Sequence, residues 1–255
     1  MKLLVALLTV LVSHIATGQH ALKSFKNNKE FDWVVDSSLM QLTIYYKKDG
    51  WAADRIASIK PKLVDQIKST EQFMGIDSYT KDINYFIVDS RSEMVDLTGR
   101  ETNGSAFYKD NAITGIASKT IKSIYTNHEL FHLMAMNLWG VPELWLNEGM
   151  AVYSDNSWNG YDLYALTNYL VNTNKYVPLK ETITNFRKVD SWISYPLIGS
   201  FVKYLDETYG RELLLKVWKG KRKTIEKLTH KGINELETDW LNTIKNVGNK
   251  GITNY

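Results

Sequence analysis

The stretch TNHELFHLMAMNLWGVPELWLNEGMAVYSD, Thr126 to Asp155, constrains the fold more than any other part of the chain. His128 and His132 stand four apart, so on an α-helix their imidazoles lie one turn above each other on one face. The apolar run that follows carries this helix to Trp139, where Gly140-Val141-Pro142 breaks it and Pro142 suits a new first turn. From His132 to the break the helix descends roughly 10 Å at its usual rise. A second helix returning from Val141 regains that height seven residues on, at Glu148. Glu143 lies too near the turn to do the same. The spacing therefore predicts an antiparallel helix pair that brings His128, His132 and Glu148 to one point.

Two imidazoles and a carboxylate are the ligand number of a catalytic metal site, with a position left for water. Glu129 projects about 100° round the helix from His128 and roughly 60° from His132. It borders the ion without lying in line with the ligands, where a general base for a metal-activated water is wanted. The alternative is a capping box, Thr126-x-x-Glu129, in which the glutamate only closes the start of the helix. The chain has no cysteine, which excludes disulfides, thiolate ligands and a cysteine nucleophile. A transition-metal site must then use His, Asp or Glu, and this set suits one Zn2+ per chain.

The remaining sequence supplies the frame. Met1-Lys2, the apolar run Leu3 to Val12 and a small-residue end at Ala16-Thr17-Gly18 predict a cleaved signal peptide over 1–18. The run is too short to span a bilayer, so export without a membrane anchor is expected. The mature chain, 19–255, reads as one domain. Strands are expected at Gln41 to Gly50, Ile83 to Ser90 and Ala112 to Ser118, with helices over Trp51 to Met74 and before Gly99. Further on the pattern is helical: Tyr161 to Val171, Pro196 to Tyr209, Arg211 to Trp218, and Asn234 to Ile244 opened by Asn234-x-x-Glu237. The expected class is α+β, with an α/β lobe over 19–139 ending in the histidine helix and a helical lobe over 140–255. A formal charge of +3 gives no argument for a nucleic-acid partner. His230, the basic run KGKRK at Lys219 to Lys223 and the aromatics of WNGYDLYALTNYL read as surface, capping or core residues. Asp155 is open between supporting a ligand histidine and ending a helix.

HELFH followed by WLNEGMAVY resembles the gluzincin zinc metallopeptidases, whose third ligand is a glutamate on the next helix. The fifteen residues between His132 and Glu148 make it more similar to the small peptidase-MA-like family of exported bacterial proteins. INYFIVDS, ITGIAS, KYVPLKETI and INELETDW also resemble recurring pieces of that family, so the likeness covers most of the mature chain. It implies a thermolysin-like zincin with the zinc helix at the floor of a cleft between two lobes. His128, His132 and Glu148 map onto the ligands and Glu129 onto the general base.

In the related zinc aminopeptidases a tyrosine opens a later helix and stabilises the oxyanion. Tyr195, just before Pro196, matches that position, although YPLIG replaces the family's Y-x-K-G. The strand before the zinc helix holds substrate by its edge in gluzincins, which points to Gly115, Ile116 and Ala117. Aminopeptidases carry there a glutamate for the substrate's free amine. Gly115-Ile116-Ala117-Ser118 has no acid, so cleavage within peptides or unfolded protein is expected. The competing expectation is a binding or scaffold protein on the same fold, its metal structural or absent.

Overall fold

The computed structural model describes residues 21–249, 251, 252 and 255, and the signal segment expected over 1–18 lies outside them. In chain order these residues form α1 (Ala21–Lys26), β1 (Trp33–Leu39), β2 (Leu42–Lys47), α2 (Ile56–Met74), β3 (Ile83–Val88), α3 (Arg91–Thr98), β4 (Gly104–Phe107) and β5 (Ala112–Ile116). Next come α4 (His128–Trp139), α5 (Leu144–Asp155) and a ribbon of β6 (Ser157–Trp158) and β7 (Tyr161–Asp162). The chain continues through α6 (Leu163–Asn172), α7 (Leu179–Thr184), α8 (Ser191–Tyr209), α9 (Arg211–Gly220), α10 (Lys223–Thr229) and α11 (Ile233–Ile244). An N-terminal sheet is thus followed by a mostly helical part, a mixed α+β arrangement. No helix among the described residues is long and apolar enough to cross a membrane.

The sheet has the order β1-β2-β3-β5-β4, with β2, β3 and β5 parallel and both outer strands antiparallel to their neighbours. Every residue of β3 is buried, because layers cover both faces of the sheet. Ile83, Tyr85 and Ile87 point into the core that Ile59 and Leu63 of α2 and Phe131 of α4 share. Phe86 and Val88 point to the other face, against Phe25 of α1 and Met94 and Leu97 of α3. Left-handed Gly75 and Gly99 end α2 and α3, each at φ 68°.

The larger core runs on without a break from α4 through α5 into Leu197 and Phe201 of α8 and Trp240 of α11. At its centre α5 crosses α8 on two glycines. A Cβ on Gly149 would stand 2.5 Å from Ile198 Cγ2, and one on Gly199 would stand 2.4 Å from Val152 Cγ1. The two helix backbones approach more closely here than any side chain at these positions would allow.

Several boundaries differ from the sequence expectation. The second helix of the pair begins at Leu144, after an extended Glu143 at ψ 145°, so Pro142 belongs to the turn and not to the first helical turn. α8 begins at Ser191, because Asp190 Oδ1 accepts the Trp192 N–H at 2.9 Å. Tyr195 and Pro196 therefore lie inside α8 and do not open it. Pro196 has no N–H for the Trp192 carbonyl four residues back. The Tyr255 hydroxyl donates to that carbonyl instead, at 2.6 Å. α11 is opened by Glu235, which accepts the Gly232 N–H at 2.7 Å, while Glu237 accepts from the Leu179 N–H and the Tyr176 hydroxyl.

Candidate metal centre and cleft

α4 and α5 meet at the three residues that the spacing singles out. His128 Nε2 and His132 Nε2 are 3.0 Å apart, and Glu148 Oε2 lies 3.3 Å from the first and 3.4 Å from the second. One donor atom from each falls within 4.8 Å of the others, so the group can hold a metal ion. His132 is buried, and the other two are half-buried. Two imidazole nitrogens at such a distance repel unless a proton or a cation lies between them.

The charges at this point favour a cation. Burial alone would lower the His128 pKa, but the Glu148 hydrogen bond and the charges of Glu129, Glu148 and Asp155 outweigh it and push it up to about 9. Glu148 shows the mirror effect. Burial would raise its carboxyl, yet the charges of His132 and His128 and their hydrogen bonds hold it well below the usual carboxylate range.

Asn147, the residue before Glu148, was not anticipated. His132 Nδ1–H donates to its Oδ1 at 3.1 Å, which leaves the lone pair on Nε2, aimed at the cluster. Asn147 is itself buried, so two successive residues of α5 serve the site: one orients a histidine and one offers a carboxylate. Asp155 accepts the Asn127 N–H at 2.7 Å. It ties the end of α5 to the start of α4, and its charge also acts on His128, so both of its readings have an observation behind them.

Glu129 takes no part in a capping box. The Thr126 hydroxyl donates to the Ser123 carbonyl at 3.2 Å, and Asn127, not Thr126, precedes the first turn. The Glu129 side chain instead lies flat against β4. A Cβ on Gly104 would come within 3.0 Å of its Cγ and 3.1 Å of its Oε1. Gly104 thus makes room for the carboxylate between the histidine helix and the sheet.

The substrate strand expected at Gly115, Ile116 and Ala117 is corrected here. β5 is an interior strand with β3 on one side and β4 on the other, and all three residues are buried. The Ile116 N–H donates to the Asn103 carbonyl and the Ala117 N–H to the Val88 carbonyl, both at 2.9 Å. Nothing there is left to pair with a peptide. The outer edge belongs to β4, whose register pairs Gly104 with Gly115 and Phe107 with Ala112, and whose other side has no strand among the described residues; there the Thr102 hydroxyl donates to the Gly104 carbonyl at 2.7 Å and accepts its N–H at 3.4 Å.

Tyr195 reaches the centre from α8. Its ring is 6.3 Å from that of His128 and is held between Trp158, stacked at 4.8 Å, and Phe186 at 5.1 Å. Trp158 belongs to the aromatic stretch assigned to core packing, and the structure puts it at the site. Burial, and then the charges of Glu148 and Glu129, raise the Tyr195 pKa, so the phenol stays protonated and can donate a hydrogen bond. His230, by contrast, is the left-handed C-cap of α10 at φ 56°.

No protein-family model and no curated protein sequence matches the chain. Among solved structures it is similar to an aminopeptidase N family protein from Idiomarina loihiensis, at 14% identity and a TM-score of 0.41. The likeness covers 86% of this chain and 43% of that protein, so the chain spans less than half of its length.

Proposed function

We propose that the chain is a zinc-dependent peptidase of gluzincin type that cleaves within peptides or unfolded protein. The observation that carries this reading is the convergence of His128, His132 and Glu148, with Glu129 beside them against an open strand edge. Donors about 2.0–2.1 Å from a tetrahedral ion stand about 3.3 Å from one another. The three separations of 3.0, 3.3 and 3.4 Å fit one face of such a tetrahedron. Zinc held there supplies a Lewis acid and a water of lowered pKa.

The chain's own groups supply the rest. An extended peptide adds to β4 through main-chain hydrogen bonds, which ask for no particular sequence. β4 carries no carboxylate to select a free amine, which favours endopeptidase over aminopeptidase action. Glu129 takes the proton of the attacking water and passes it to the leaving amine. The Tyr195 hydroxyl donates to the oxygen that gains negative charge. Asn147 keeps His132 in the tautomer that leaves Nε2 free.

The test is metal content and peptide hydrolysis of the wild type beside Glu148→Ala and Glu129→Gln. About one zinc per chain is expected, weakened or lost in Glu148→Ala and retained in Glu129→Gln, with hydrolysis abolished in both. Retained hydrolysis in Glu129→Gln would assign the base elsewhere. A wild type that takes no zinc after reconstitution would leave a binding or scaffold protein. Acetylating the N-terminus of a peptide should leave its cleavage unchanged, and loss of cleavage would make the chain an aminopeptidase. Export belongs to the same proposal: sequencing of the mature protein is expected to begin at Gln19, and a chain retaining Met1 would refute it.

A further inference from the structure

Beside the metal centre lies a cavity of about 700 Å³ between the start of α5, the segment after α7 and the turn from α9 to α10. Its apolar wall is Leu144, Trp145, Ile183 and Phe186. Its rim is basic: Arg187, Lys188, Lys221, Arg222 and Lys223 line it, against one acid, Glu143. That acid is already engaged, since its Oε2 accepts the Trp145 indole N–H at 3.1 Å and the Arg222 backbone N–H at 2.7 Å. None of the five basic side chains forms an ion pair among the described residues. The Arg222 guanidinium is spent on the Thr184 hydroxyl at 3.2 Å, and the other four cations face solvent.

Two residues of the cavity wall link it to the metal centre. Trp145 precedes Glu148 by three residues, about 4.5 Å along the same helix. Phe186 packs on Tyr195, and the Arg187 charge is felt at the Tyr195 phenol. A peptide held at Glu129 and Tyr195 therefore has this cavity next to it. Exposed cations singly contribute little, but like charges gathered round a concave, partly apolar surface focus their potential. An apolar wall under a basic rim suits a short side chain or chain end that carries a carboxylate.

We propose that this cavity is a substrate subsite for a carboxylate of the bound peptide, either an Asp or Glu side chain or the free C-terminus. The inference rests on the peptidase reading above and names the substrate class for it.

The experiment uses the zinc-loaded full chain and a matched set of internally quenched peptides. One is neutral and amidated, one carries glutamates on both sides of the scissile bond, and one is neutral with a free C-terminal acid. At low salt, kcat/KM is expected to be about tenfold higher for one or both anionic peptides, mainly through KM, and to fall towards the neutral value as screening rises. The glutamate and free-acid arms distinguish the two carboxylate sources. In Lys188→Gln/Lys221→Gln/Lys223→Gln the preference is expected to vanish while cleavage of the neutral peptide persists, which also reports a folded enzyme. Lys188→Glu/Lys223→Glu is expected to turn the preference towards a peptide with lysines in place of the glutamates. Equal cleavage of all peptides, or a preference that survives the triple variant, overturns the subsite and leaves the peptidase reading standing. Failure to cleave any peptide overturns both.

Discussion

The crossing of α5 and α8 offers the sharpest test of how the fold sets the chemistry. Glu148 and Val152 are one turn apart on α5, and Tyr195 and Gly199 are one turn apart on α8. The contact of Gly199 with Val152 therefore sets the spacing one turn away, where Tyr195 faces Glu148. In Gly199→Ala the new Cβ would lie 2.4 Å from Val152 Cγ1 and 2.9 Å from its Cβ. Carbon atoms rest comfortably at about 3.5 Å, so the overlap is about 1.1 Å and the helices must part by a similar amount. Overpacking of this size costs about 1–3 kcal/mol of stability, or roughly 2–12 °C in Tm for a chain of this length. A misplacement of about 1 Å between catalytic groups costs on the order of a hundredfold in turnover. Zinc content should be unchanged, because all three proposed ligands lie on α4 and α5. Val152→Ala in the same chain removes the 2.4 Å contact and leaves the one at 2.9 Å, which cuts the overlap to about 0.6 Å. It should recover at least tenfold of the lost turnover. The assay is kcat on a quenched peptide, with calorimetry and metal analysis of all four members of the cycle. A Gly199→Ala variant that loses stability but keeps full turnover would refute the claim that this crossing positions Tyr195. A loss that Val152→Ala does not relieve would refute its steric origin.

Three further outcomes follow from the site. His128 in the metal-free chain is pushed up to about 9 from its ordinary 6.5, so below pH 9 a metal ion must displace its proton. Apparent zinc affinity, measured by competition with a chelator, should rise about tenfold per pH unit between roughly pH 7 and 9, and a flat profile would refute the assignment. By the same linkage the protonated His128 stabilises the metal-free fold fully below its unfolded pKa, and that contribution is lost as pH rises through about 9. Asn147→Ala should weaken zinc binding by about 10–100-fold by freeing the His132 tautomer, and unchanged affinity would remove Asn147 from the site. Tyr195→Phe should lower kcat by about a hundredfold with zinc content intact, and equal turnover would leave Tyr195 as a packing residue.

How far the site was legible depended on which forces wrote each part. The helix pair was readable because its periodicity and its turn residues are local, and rise per residue alone brings Glu148 to the height of His132. Strands β3 and β5 were readable because burial on both faces demands apolar runs such as INYFIV, and β2 because LTIYYK alternates and is β-branched and aromatic. β4 was not, since GSAF is four residues long, has a ladder on one side only, and follows polar residues that read as a loop. Missing it moved the expected substrate edge inward by one strand, to Gly115, Ile116 and Ala117. The start of α8 was missed because Pro196 outweighed the better signal, Asp190-Ser191, and nothing local reveals that Tyr255 takes the carbonyl Pro196 leaves free. Trp158 and Asn147 act through tertiary placement, and the asparagine inside WLNEG was the one hint available for the second.

The shortness of β4 also bears on how long a peptide stays. Four residues span about 14 Å of extended chain with about two outward pairs of N–H and C=O groups, and that of Gly104 already bonds the Thr102 hydroxyl. At about 0.5–1.5 kcal/mol for each net hydrogen bond the whole edge contributes a few kcal/mol. Cleavage by the proposed peptidase would divide even that between two fragments, neither of which keeps the full ladder. Under the proposed function, residence of products on the strand would therefore be brief, and an edge that recruits an intact chain without regard to sequence would let its pieces go.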